Sequence, residues 1–188
     1  MDNNVIEHLA RRFAEAGNVT LRFNYAGVGG SPLELPTDST PFDYWGRIEA
    51  EQDYRAVLPD AIAAREYLAR ILAPGHALVY VGYSFGSCMA TLLTEHAGPD
   101  YLAAISPPVS RVKFEGLASC RMPVCFVTGE KDFVFEPEGF RETYDAVPGP
   151  KFHVHLDGCD HFFRKEEERV YQALRPFLTG AMAPGKGP

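Results

Sequence analysis

The sequence predicts an α/β protein in three layers, a mostly parallel sheet of about five strands with helices on both faces. Three observations point there. Short apolar runs alternate along the chain with segments whose apolar residues recur at helical spacing, the pattern of strand and helix units in a parallel sheet. The run at 77–81 is apolar and β-branched without alternation, as in a strand covered on both faces. Tight turns at 82–86, 129–132 and 157–161 follow directly on apolar runs, and such strand ends are where parallel sheets carry their sites.

The elements follow in order. Val5, Ile6, Leu9, Phe13 and Ala16 mark a first helix on 4–16, with Asn3 or Asn4 as cap and Gly17 as stop. A short strand is expected on 19–25, then a glycine-dense turn on 26–31. That turn lacks both the G-x-G-x-x-G spacing and the Lys-Ser/Thr of nucleotide-binding loops. Pro32, Pro36 and Pro41 make 32–52 irregular, and Phe42, Tyr44 and Trp45 cluster within it, either anchoring a surface loop or capping a site. Tyr54 to Leu72 reads as a helix in which Pro59 marks a kink or the start of its main part. After the strand at 77–82 comes a helix to about Ala97, with His96 suited to its last turn. Strands are expected on 101–106, 123–128 and 152–156, with a weak helix on 137–146 and an amphipathic one on 166–178.

At 188 residues the chain suits one domain, taken as 1–180, with a disordered tail on 181–188. A formal net charge of −7 without a basic run gives a polyanion nothing to bind, so nucleic acid is not expected as a partner. No apolar run reaches spanning length and no signal peptide opens the chain, so no membrane association is expected. Cys88, Cys120, Cys125 and Cys159 show no C-x-x-C or disulfide spacing and fit free thiols in a reducing, cytoplasmic setting.

Gly82-Tyr83-Ser84-Phe85-Gly86 is a G-x-S-x-G elbow between a strand and a helix. There the serine backbone is strained and side chains at the two glycine positions would clash with the crossing strand and helix. The N–H of Phe85, at the helix start, is placed to meet an oxyanion. A serine hydroxyl needs a neutral imidazole to take its proton, and His161 is the candidate base. Asp132 is the candidate acid that fixes its tautomer. Asp157 and Asp160 compete for that role, although Asp160 adjoins His161 in sequence and reaches its ring poorly. His153 and His155 lie two apart on a strand, hence on one face, but no third ligand is defined and no metal is expected. Cys159 reads as packing, with a redox-sensitive thiol as the sharper option.

Three segments resemble the α/β-hydrolases, and among them the small bacterial dienelactone-hydrolase-like serine hydrolases. They are 21–31, similar to R-F-N-[FY]-R-G-V-G-x-S, the elbow itself, and 158–163, similar to G-x-D-H-F-F. The resemblance implies an α/β-hydrolase-like sheet and a serine hydrolase that cleaves a small ester or thioester through an acyl-enzyme. It implies a small-molecule acyl substrate and no cofactor, with Tyr83, Gly27, Phe133 and Phe162 around the substrate. Ala26 stands where those relatives carry arginine. They also place strands before the first helix, and a loop there gives the second oxyanion N–H. The chain therefore reads as N-terminally truncated, with Met1 internal to a longer frame and Asp2, Asn3 or Asn4 as the substitute donor. Without that central strand, the strand at 19–25 is expected to pair directly with the one at 77–82. The alternative function is a catalytically weak hydrolase-fold protein that binds a ligand or partner.

Overall fold

The structure is a computed structural model and describes residues 3–114 and 116–179. Six helices and four strands are placed among them: α1 (Asn4–Glu15), α2 (Pro41–Glu51), α3 (Leu58–Ile71), β1 (Val79–Tyr83), α4 (Phe85–His96), β2 (Tyr101–Ile105), β3 (Val124–Lys131), α5 (Pro137–Ala146), β4 (Lys151–Asp160) and α6 (Glu167–Leu178). The strands form one parallel sheet in the order β1-β2-β3-β4. The segment 181–188, expected to be a tail, lies outside the described residues.

Alternation along the strands sorts the core into two layers. Ala103, Ile105, Cys125 and Val127 point to one face, where Val5 and Leu9 of α1 meet Val170, Leu174 and Phe177 of α6. Leu102, Ala104, Val124 and Phe126 point to the other, against Ala61 of α3, Leu93 of α4 and Phe140 of α5. On the first face Arg12 of α1 pairs with Glu168 of α6 at 2.9 Å and lies over the Tyr171 ring.

Several helix ends follow from local chemistry. Asn3 caps α1 by accepting the Ile6 N–H at 3.0 Å. Pro59 sits in the first turn of α3, so it starts the helix and does not kink it. The expectation of an irregular 32–52 is corrected by α2. Pro41 occupies its first turn, where the missing N–H costs nothing, and Thr40 and Asp43 form a reciprocal capping box.

The sheet also differs from expectation. It has four strands, and residues 19–25 have no regular secondary structure and do not join it. Tyr101 donates its N–H to Leu78 O, and Ser84 donates its N–H to Ile105 O. By alternation the peptide groups of Val79, Val81 and Tyr83 point to the opposite, unpaired side of β1. Side-chain anchors hold 19–25 away from that edge. Thr20 Oγ1 donates to Ala10 O, the Ala26 N–H donates to Asp60 Oδ2 at 2.8 Å, and the Tyr25 ring packs 5.5 Å from that of Phe85.

Candidate active site

The elbow geometry comes from backbone crowding. Ser84 has φ 51° and ψ −121°, a left-handed conformation rare for a residue with a side chain. A Cβ on Gly82 would lie 2.6 Å from Ser87 Cα and closer still to Gly86 O, so only glycine fits. The expected clash at Gly86 is absent, because its Cβ direction opens into empty space. Phe85 is the first residue of α4, so its N–H has no intrahelical acceptor.

The structure brings Ser84, His161 and Asp132 together at the C-terminal ends of β1, β4 and β3. His161 Nε2 lies 3.1 Å from Ser84 Oγ, and His161 Nδ1 lies 2.9 Å from Asp132 Oδ1. His161 and Asp132 are both buried, at 6 % exposure each. Burial pushes the Asp132 carboxyl up, but hydrogen bonds from His161 and the Val134 N–H, with the Ser106 hydroxyl close by, outweigh it and leave the group below its ordinary range. Asp160, the competing acid, spends Oδ1 on the N–H groups of Phe162 and Phe163 at 2.9 and 3.1 Å, fixing the turn that carries His161. Asp157 accepts from Arg169 through its carbonyl, and among the described residues no hydrogen bond joins its carboxylate to His161.

The remaining candidates spread around this centre. Tyr83 donates its hydroxyl to His161 O at 2.8 Å, and burial raises its own pKa to about 12. Phe133 and Phe162 are exposed, with ring centroids 4.7 and 5.5 Å from the imidazole. Gly27 belongs to a turn whose Cβ space is closed by Leu33, and the neighbouring Val28 reaches the cavity beside Ser84 instead. His153 and His155 both bond to Thr128 Oγ1, at 2.8 and 2.9 Å, and no group of three metal-ligating side chains occurs among the described residues. The four cysteines are buried free thiols. Burial raises the Cys159 pKa, and its sulfur accepts from Arg169, in keeping with packing.

Two features escaped the sequence reading. Ser106, at the end of β2, is 1 % exposed with φ 44°. Its hydroxyl lies close enough to Asp132 to favour the ionised carboxylate, without the geometry of a full hydrogen bond, so Ser106 Oγ and Asp132 Oδ2 are both buried and unpaired. An apolar residue before Pro107-Pro108 would have fitted the strand equally well, and a serine there was the available signal. The second feature is a cavity of about 460 Å³ along the open edge of β1, lined by Leu21, Phe23, Val81, Ser84 and Trp45. Trp45 packs 5.6 Å from the Phe85 ring and donates its Nε1–H to Ala26 O, so α2 is both anchored to the core and part of the cavity wall. Asn3 lines the same cavity, whereas Asn4 is engaged with Phe162 O and Glu167. Asp2 lies outside the described residues.

These strand ends can be compared with known proteins. No family model matches the chain. An uncharacterized protein of Rickettsia prowazekii (strain Madrid E), RP471, is 26% identical over 187 residues, which is 95% of this chain and 72% of that protein. ATU1826 from Agrobacterium tumefaciens, a protein of unknown function and candidate α/β hydrolase, superposes with a TM-score of 0.77 at 22% identity, covering 100% of this chain and 82% of its own. XC6422 from Xanthomonas campestris, described as an α/β serine hydrolase without a lid, superposes at 0.66 with 23% identity, covering 100% and 77%. The fold of this chain is that of the α/β hydrolases. No described helix is long and apolar enough to cross a membrane.

Proposed function

We propose that this chain is a serine acyl-hydrolase of small esters or thioesters. The observation that carries the reading is the continuous relay from Ser84 Oγ through His161 to Asp132 Oδ1, 3.1 and 2.9 Å per link. With Nδ1–H donated to Asp132, the bare Nε2 takes the hydroxyl proton as Ser84 Oγ attacks the acyl carbon. The Phe85 N–H meets the oxyanion, and Asn3, whose Nδ2 has no acceptor among the described residues, is the candidate second donor. Collapse breaks the bond to the leaving oxygen or sulfur, which receives the proton from Nε2. Water then attacks acyl-Ser84, giving a proton to Nε2, and collapse breaks the bond from the acyl carbon to Oγ, which takes that proton back as the carboxylic acid leaves. The acyl group takes the cavity beside Ser84, an apolar space of a size that suits a small ligand. Four buried free cysteines support a reducing, cytoplasmic setting.

A second reading, ligand binding with weak turnover, is favoured by one observation. Among the described residues a single backbone N–H is assigned to the oxyanion, and the loss of one donor elsewhere costs about 10² to 10³ in rate. A fluorophosphonate probe separates the two. Stoichiometric labelling at Ser84, with turnover of an ester and thioester panel, supports the hydrolase, and a folded but unlabelled protein overturns it.

A further inference from the structure

We propose that Phe133, Phe162, Arg111 and Arg164 form the subsite for the leaving group, and that this group is an aromatic alcohol or thiol bearing a carboxylate. The inference rests on the hydrolase reading above. In that mechanism His161 Nε2 hands its proton to the departing atom, so the leaving group must lie against the imidazole, on a side whose residues do not line the acyl cavity. That side is aromatic. The Phe133 and Phe162 centroids are 4.7 and 5.5 Å from His161 and 6.0 Å from each other.

Both phenyl rings are held toward solvent, at 60% and 44% exposure. The backbone forces this arrangement. Asp160 Oδ1 accepts the N–H groups of residues 162 and 163, and Phe163 takes φ 47°, an outlying conformation for a bulky side chain, which sends its ring fully into the core. Phe162 is left facing outward beside the imidazole. Phe133 stands between two buried neighbours, Asp132 and Val134. Strain and exposed phenyl groups next to the reacting atoms fit a surface that gains its burial from a bound ring.

Charge defines the other half of the ligand. The Arg111 guanidinium carbon lies 5.9 Å from the Phe133 centroid, and that of Arg164 lies 5.3 Å from the Phe162 centroid. Both side chains belong to exposed residues, and neither pairs with a carboxylate among the described residues. In a chain of net charge −7, two cations set over these two rings are complementary to an anionic substituent on a bound aryl group.

The test uses acetate esters, so that the acyl half stays constant. Benzyl acetate is compared with cyclohexylmethyl acetate, whose alcohols have similar acidity, and 4-(acetoxymethyl)benzoate with its neutral carboxamide. The expected kcat/KM preference is about 2- to 12-fold for the aromatic alcohol. A further preference of about 2- to 5-fold is expected for the carboxylate, disappearing at high salt. Phe133→Leu with Phe162→Leu should collapse the first ratio toward one, and Arg111→Gln with Arg164→Gln the second, with folding checked by Tm. Wild-type ratios near one, or ratios unchanged in these variants, overturn the subsite while labelling and turnover leave the hydrolase reading standing. A folded wild type that is neither labelled nor active overturns that reading and the subsite with it.

Discussion

Two regions meet at Ser84 and are held by different forces. The strand-end turns at 82–87, 129–134 and 158–163 are fixed by backbone contacts. A Gly82 Cβ would strike the 86–87 backbone, a Gly129 Cβ would lie 2.5 Å from Cys159 O, and Asp132 and Asp160 bind main-chain N–H groups. The segment 19–54 adds no strand to the sheet and is held by side chains, with Tyr25, Trp45 and Tyr54 each packing edge-on around Phe85. Backbone crowding leaves one geometry, and Ser84, His161 and Asp132 are held by it. Aromatic packing tolerates rearrangement, and the cavity wall is built from it.

Mutation tests that difference from its strongest point. If the reacting groups act as a unit, Ser84→Ala or His161→Ala should each cost up to about 10⁶ in kcat, and combining them should add little. Asp132→Asn should cost about 10⁴ through the wrong imidazole tautomer. Additive losses in steady-state kinetics would break the unit apart. Gly82→Ala should destabilise by about 3 kcal/mol through overpacking, whereas Gly86→Ala should be neutral or stabilising by up to about 1 kcal/mol, since its Cβ meets nothing. Equal denaturant midpoints for the two variants would show that backbone crowding does not hold the elbow.

In the side-chain-held region, Trp45→Ala should cost about 2 kcal/mol from lost burial and edge-on contacts. It should widen acyl-chain tolerance while labelling of Ser84 persists, and a variant that loses the probe reaction would tie the two regions more closely than their contacts suggest. Ser106→Ala should lower kcat by up to about tenfold through loss of the hydroxyl that favours the Asp132 carboxylate, with KM little changed. The same change in an Asp132→Asn background should do almost nothing, because Ser106 acts through the carboxylate. An equal loss in both backgrounds would make its role merely structural.

The smallest effect is in acid. The fold holds Asp132 below its ordinary value of 3.8, so between the two values the unfolded chain binds more protons than the folded one. The stability contributed by the ionised group is complete above that ordinary value and is lost as pH falls through the folded one. Asp132→Asn should therefore be less stable than wild type near neutral pH, with the gap closing in acid. A gap independent of pH would remove the charge from the account.

The sequence by itself determined the alternation of helices and strands, the strained serine between Gly82 and Phe85, and the turns that deliver Asp132 and His161. These are local signals, in which an apolar run, a glycine and a capping side chain specify a bend within a few residues. Even α2 is legible in Thr40, Pro41 and Asp43, because proline breaks a helix interior but starts a first turn. Tertiary structure alone decided whether 19–25 would join β1. Both outcomes have the same local pattern, and the choice falls to contacts distant in sequence, from Asp60 to the Ala26 N–H and from Phe85 to Tyr25. The approach of Ser106 to Asp132, and the outward turn of Phe162 while Phe163 fills the core, are likewise set by where neighbouring strand ends come to rest, which residue order cannot express.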